Sequence, residues 1–155
     1  MERQWGVVPR ETLGAEDGID FLRGIMEGRH PSPPIARLMG MELVEVEPGR
    51  AVFTGTPRFD HANPIGSIHA GFAATLLDSA VACAVHSLLK AGQGYTTLEL
   101  KINLVRAIME NTGPVRAEGR VLHLGRQIGT AEGQLRDEEG RLYAHATTTC
   151  LIFPI

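Results

Sequence analysis

The sequence predicts an α+β domain: a curved antiparallel β-sheet wrapped around one long central helix. Three observations carry this reading. Ala70 to Leu89 is nearly all apolar or small, so the helix it forms is apolar on most of its circumference and must be surrounded. Strand patterns flank that run, a hairpin before it and four strands after it. The connections between the later strands are short, which favours an antiparallel meander of sequence neighbours.

The elements follow in order. Ile19, Leu22, Ile25 and Met26 recur at helical spacing after Asp17 and predict a short helix. His30-Pro31-Ser32-Pro33-Pro34 breaks it, and Pro34 to Met39 begins a second helix, with proline at its start and Gly40 at its end. Residues 1–32 thus read as an N-terminal helical extension and 33–155 as a single domain. Leu43, Val44 and Val46 lead through Pro48-Gly49 to Ala51–Thr56, a hairpin. Arg58 to Ile68 has loop composition. After Gly92 and Gly94, Thr97, Glu99, Lys101 and Asn103 alternate with Leu98, Leu100, Ile102 and Leu104, which predicts a strand with the first set on its polar face. Val115–Leu124, Ile128–Asp137 and Arg141–Phe153 complete the strands, separated by Gly113-Pro114, Gly125-Arg126-Gln127 and Asp137 to Gly140.

Composition narrows the function classes. A chain of 155 residues fits one domain. Fifteen Lys and Arg against 18 Asp and Glu give a net charge of -3, which argues against a nucleic-acid platform. Cys83 and Cys150 form no CxxC pair and lie in apolar runs, where thiols behave as small hydrophobes. Met1 to Gly6 lacks the basic and apolar segments of a signal peptide. The apolar run is long enough to span a bilayer, but Asp78 near its centre would cost about 2.5–3.5 kcal/mol there. A buried helix in a cytoplasmic protein without a membrane partner is the better expectation.

Asp78 is also the residue that packing explains least. Leu76, Leu77, Ala80 and Val81 surround it in sequence, and desolvating an unpaired carboxylate is expensive. Helical spacing puts it in a small and polar stripe with Thr75, Ser79, Ala82 and His86. One reading is a helix edge that meets solvent or another subunit. The loop before the helix points to chemistry instead. His61, Asn63, Gly66, Ser67 and His69 crowd the helix start, whose free N–H groups and dipole favour a developing oxyanion. His61 and His69 lack a third ligand at metal-site spacing, and Ser67 lies in no nucleophile elbow.

The run from Asn63 through Gly66 and His69-Ala70-Gly71 to Asp78 resembles the signature of hotdog-fold acyl-CoA thioesterases of the phenylacetic-acid-degradation (PaaI-like) type. That family has Asn, Gly, then His-Gly-Gly, and an acidic residue nine positions after the His. Gly94 to Arg106 resembles the strand that follows the hotdog helix, and Gly125-Arg126 and Gly140-Arg141 fall at the family's next turns. The likeness covers about residues 33–153, and its one departure is Ala70 where the family has glycine.

The resemblance implies a hotdog fold that hydrolyses an aryl- or medium-chain acyl-CoA to free acid and CoA, without a cofactor. It makes Asp78 the base or nucleophile and Asn63 the amide that orients water or carbonyl. Ala70 N–H, with Gly71, becomes the oxyanion donor, Thr97 supplies a hydroxyl facing the carboxylate, and His69 orders the loop or polarises the carbonyl. It also implies a homodimer or homotetramer with shared sites, Asn63 and Ala70 from one subunit and Asp78 and Thr97 from its partner. Arg106 and Arg126, with Arg116 and Arg141, are candidates for the CoA phosphates. A hotdog hydratase or dehydratase using His69 with Asp78, and a non-catalytic acyl-CoA-binding protein, are the alternatives.

Overall fold

The computed structural model describes residues 3–155. Three short helices come first: α1 (Arg10–Leu13), α2 (Gly18–Met26) and α3 (Pro34–Met39). The hairpin β1 (Met41–Glu47) and β2 (Arg50–Gly55) follows, then the long helix α4 (Ala70–His86). The chain ends in β3 (Gln93–Leu104), β4 (Val115–Leu124), β5 (Ile128–Asp137) and β6 (Leu142–Pro154). Pro34 occupies the first turn of α3, where its missing N–H costs nothing, and Gly40 closes that helix in the left-handed conformation at φ 62°.

All six strands form one antiparallel sheet in the order β1-β2-β4-β5-β6-β3. The meander is therefore only partial. It holds for β4 to β6, but β3 pairs with β6 at the sheet edge instead of with β4. The connection 105–114, which contains the 3-10 turn Glu110–Thr112, makes the crossing possible. Two intervening strands put the ends roughly 14 Å apart, well within reach of that much chain.

The sheet curls around α4, and the spacing between them is set by glycine. Gly119 of β4 and Gly133 of β5 stand opposite each other in the ladder. A Cβ on Gly119 would lie 2.3 Å from the Ala80 carbonyl oxygen, and one on Gly133 2.7 Å from Val81 Cγ1. The helix backbone thus rests on the strands themselves, and Phe72, Leu76, Leu77, Val81 and Val85 are fully enclosed. Phe21 and Leu22 of α2 enter the same apolar core as Phe72 and Leu76. None of the described helices is long and apolar enough to cross a membrane.

The strict alternation expected along β3 fails at one point. A β-bulge between Thr97 and Glu99 leaves Leu98 without a partner on β6. Thr97 consequently turns in toward α4, while Leu98 is 57% exposed. Beyond the bulge the alternation resumes, with Leu100 and Ile102 packed against the core.

Candidate active site

The loop entering α4 is organised by Asn63. Its side-chain oxygen accepts from the N–H groups of Ile65 (3.1 Å) and Ser67 (3.2 Å), and its amide nitrogen donates to Ser67 Oγ (2.8 Å). The backbone closes the same turn, with Asn63 N–H donating to the Ser67 carbonyl (2.8 Å). His61 belongs to the core: it is buried and stacks on Phe72 at 4.7 Å. Desolvation, helped by the Arg58 guanidinium, holds its pKa below the ordinary value.

His69 is the N-cap of α4, and its Nδ1 accepts the Gly71 N–H at 2.8 Å. In the neutral ring the proton therefore sits on Nε2, free to donate. A Cβ on Gly71 would lie 2.9 Å from that Nδ1, so glycine is what lets the imidazole close down on the helix end. This cap corrects one expectation. The Gly71 N–H is committed to His69, and no backbone partner among the described residues takes the N–H of Ala70, which leaves that group as the open donor. The alanine is unstrained, since no non-glycine residue among those described has a positive φ. Asn63, His69, Ala70 and Arg106 line one cavity of about 350 Å³.

Asp78 opens onto a different cavity, of about 230 Å³. Thr97 Oγ1 donates to its Oδ1 at 3.1 Å, the contact made possible by the bulge in β3. Leu22, Ile25, Ala36, Met41, Phe53 and Ala82 supply most of the apolar wall. The two cavities share no lining residue. Asp78 lies eight residues beyond Ala70 on α4, about 12 Å along the axis at 1.5 Å per residue. No single carbonyl can touch both groups of one chain.

The expected polar stripe is shorter than its spacing implied. Thr75, Asp78 and Ser79 are half-buried and open, but His86 is covered by α2 and lies between Phe21 and Tyr95, at ring distances of 5.5 and 5.1 Å. Burial pushes its pKa down to about 4. Cys83 is driven up to about 12 by burial, and Cys150 is raised for the same reason, so neither thiol is a nucleophile near neutral pH.

The arginines separate clearly. Arg106 borders the Asn63–Ala70 cavity and lies over the Tyr143 ring at 5.7 Å. Arg126 is exposed in the β4–β5 turn and lines neither cavity. Arg141 pairs with Asp137 at 2.6 Å and Arg116 with Glu45, so both already have carboxylate partners. Sequence reasoning missed the contribution of α2 to the Asp78 cavity. The signal was present in the apolar side of that helix, Leu22, Ile25 and Met26.

Residues 65–144, just over half the chain, match the family model of the thioesterase superfamily. The chain belongs to that superfamily. Its thioesterase relatives agree in sequence and in shape. A Saccharolobus solfataricus protein described as a candidate esterase is 27% identical over 127 residues, covering 82% of this chain and 89% of the relative. A candidate thioesterase from Ralstonia eutropha JMP134, related to phenylacetic acid degradation, is 26% identical with a TM-score of 0.77 and covers 84% of this chain and 98% of its own. A variant of the phenylacetic acid degradation protein PaaI of Thermus thermophilus is 29% identical with a TM-score of 0.68, over 76% of this chain and 97% of its own. The protein is a PaaI-like hotdog-fold thioesterase.

Proposed function

We propose that this thioesterase hydrolyses an aryl- or medium-chain acyl-CoA at sites assembled from two subunits. One observation carries the reading: the open Ala70 N–H and the Asp78 carboxylate of a single chain are about 12 Å apart and face separate cavities. A two-fold partner with its helix alongside in the opposite sense brings Ala70 of one chain to Asp78 of the other. The β3 edge supports such pairing, since it leaves ladder groups unpaired and exposes Leu98 and Leu104.

In such a site Asp78 takes a proton from water as the water oxygen attacks the thioester carbonyl. Alternatively its own oxygen attacks and water opens the resulting anhydride. Thr97 holds the carboxylate in place through the bond to Oδ1. The developing oxyanion receives the Ala70 N–H, with His69 Nε2–H as a second donor. The C–S bond then breaks, and the CoA thiolate collects the proton that Asp78 held. A thiolate leaves without strong acid assistance, which suits a site with one carboxylate and a few N–H donors. Arg106 borders the Asn63 cavity, where an entering CoA would bring its phosphates within reach. Arg126 would have to act from the β4–β5 turn of an adjoining subunit.

CoA release, followed with a thiol reagent over a panel of acyl-CoAs, tests the reaction. Mixed dimers test the shared site. Asn63→Ala and Asp78→Ala should each be nearly inactive alone. After joint unfolding and refolding in equal amounts, about half the dimers are hybrid and carry one intact site each. Roughly a quarter of wild-type activity should return. No recovery, with subunit exchange verified by mass spectrometry, would mean that each site uses only its own chain.

A further inference from the structure

We propose that the N-terminal segment is the chain-length gauge of the enzyme, with Ile25 and Met26 of α2 forming the wall that the far end of the acyl chain meets. This rests on the hydrolase reading above and assigns its substrate class: an unbranched acyl chain of about eight carbons, or a single aryl ring on a short linker. The cavity beginning at Asp78 and Thr97 continues between α4 and the N-terminal segment. Asp78, Ser79 and Thr97 line it from α4 and β3, Leu22, Ile25 and Met26 line it from α2, and Arg3, Ser32 and Glu42 add polar groups from the N-terminal segment and β1. An acyl group whose carbonyl meets Asp78 therefore has its tail directed at α2.

The wall is held firmly enough to measure length. Asp17, at the head of α2, accepts from Ala91 N–H (3.0 Å) and Lys90 Nζ (2.8 Å), and Gly18 N–H donates to the Leu89 carbonyl at 2.9 Å. A Cβ on Gly18 would lie 1.9 Å from the His86 carbonyl oxygen, so the start of α2 rests directly on the end of α4. The segment beyond α2 is tied down as well. Ser32, in the cavity wall, exchanges backbone hydrogen bonds with Gln4 and Gly6 (2.9 and 3.0 Å), and Arg3 pairs with Glu42 at the rim.

Volume sets the size of the occupant. An apolar cavity of about 150 Å³ holds one benzene. The 230 Å³ here is half as large again, which fits eight or so carbons. Met26 is 39% exposed, so a larger side chain there can narrow the cavity without a core rearrangement.

The experiment measures kcat/KM on straight-chain acyl-CoAs from butyryl to tetradecanoyl for the wild type, Ile25→Ala, Ile25→Trp and Met26→Trp. In parallel, calorimetric titration with the free carboxylic acids of the same lengths reads the pocket without turnover. Wild type should peak near octanoyl. The Trp variants should lose at least about tenfold on octanoyl and little on butyryl, and Ile25→Ala should move the optimum up by about two carbons. Thermal melting identifies any variant that does not fold, and Met26→Trp keeps the test open if Ile25→Trp is one. The same shift in the acid titrations supports the gauge even if no acyl-CoA is hydrolysed, in which case the hydrolase reading alone fails. Hydrolysis with a length profile unmoved in every folded variant overturns the gauge and leaves the hydrolase reading standing.

Discussion

Asp78 is half-buried on a helix whose other sides are enclosed by apolar packing, on one open stripe with Thr75 and Ser79, and its one side-chain partner among the described residues is the Thr97 hydroxyl. Asn at this position fills the same space and can still accept that hydrogen bond, but it is neither a base nor a nucleophile. Asp78→Asn should therefore lower kcat/KM by at least about a hundredfold while the melting temperature stays close to that of the parent. Turnover within a few-fold of wild type would make Asp78 structural. His86 gives a second expectation. Its folded pKa, about 4, lies below the unfolded value of 6.5, so the unfolded chain binds the extra proton first as pH falls. Stability should be full above pH 6.5, decline between 6.5 and 4 by as much as about 3 kcal/mol, and level off below that. Urea midpoints across this range should show the slope in the wild type and a reduced slope in His86→Leu.

At the scale of elements, the glycines under α4 and the bulge in β3 decide where the chemistry sits. Gly119→Ala would force a methyl group against the Ala80 carbonyl at 2.3 Å, contact with backbone that has no rotamer to move. The helix must lift from the sheet, and overpacking of this kind costs about 1–3 kcal/mol or more. Chemical denaturation should show that loss, and activity should fall with it, because Asp78 rides on the displaced helix. The bulge has the opposite character: it disturbs the ladder locally and turns Thr97 inward to the carboxylate. Alternation read along the sequence put Thr97 on the polar outer face and Leu98 inside. A period-two pattern has no means of registering one extra residue.

At the scale of the whole molecule, the composite site proposed above requires a second copy. Leu98 and Leu104, 57% and 48% exposed on the edge strand, are where that copy should pair. Sedimentation at micromolar concentration should give a dimer or a pair of dimers and not the 16.8 kDa chain alone. Leu98→Lys should shift the population toward monomer and lower activity in proportion to the monomer formed. A fully active monomer would rule out the composite site.

The amino-acid sequence by itself determined the helix from Ala70 onward, the β1–β2 hairpin, the bounds of β4 and β5, and the presence of Asn63, His69 and Asp78 at the spacing of the family resemblance. These depend on periodicity, on turn residues and on short motifs, all local along the chain. Tertiary structure decided the rest. The placement of β3 beside β6, the inward turn of Thr97 and the covering of His86 by α2 depend on contacts between parts of the chain far apart in sequence or on a one-residue irregularity. Even the 12 Å between Ala70 and Asp78 follows from helix geometry alone, but the separation of their cavities does not. That separation requires the sheet, α2 and the loop at Ile108 to close around the helix from different sides, and no local pattern encodes how surfaces meet.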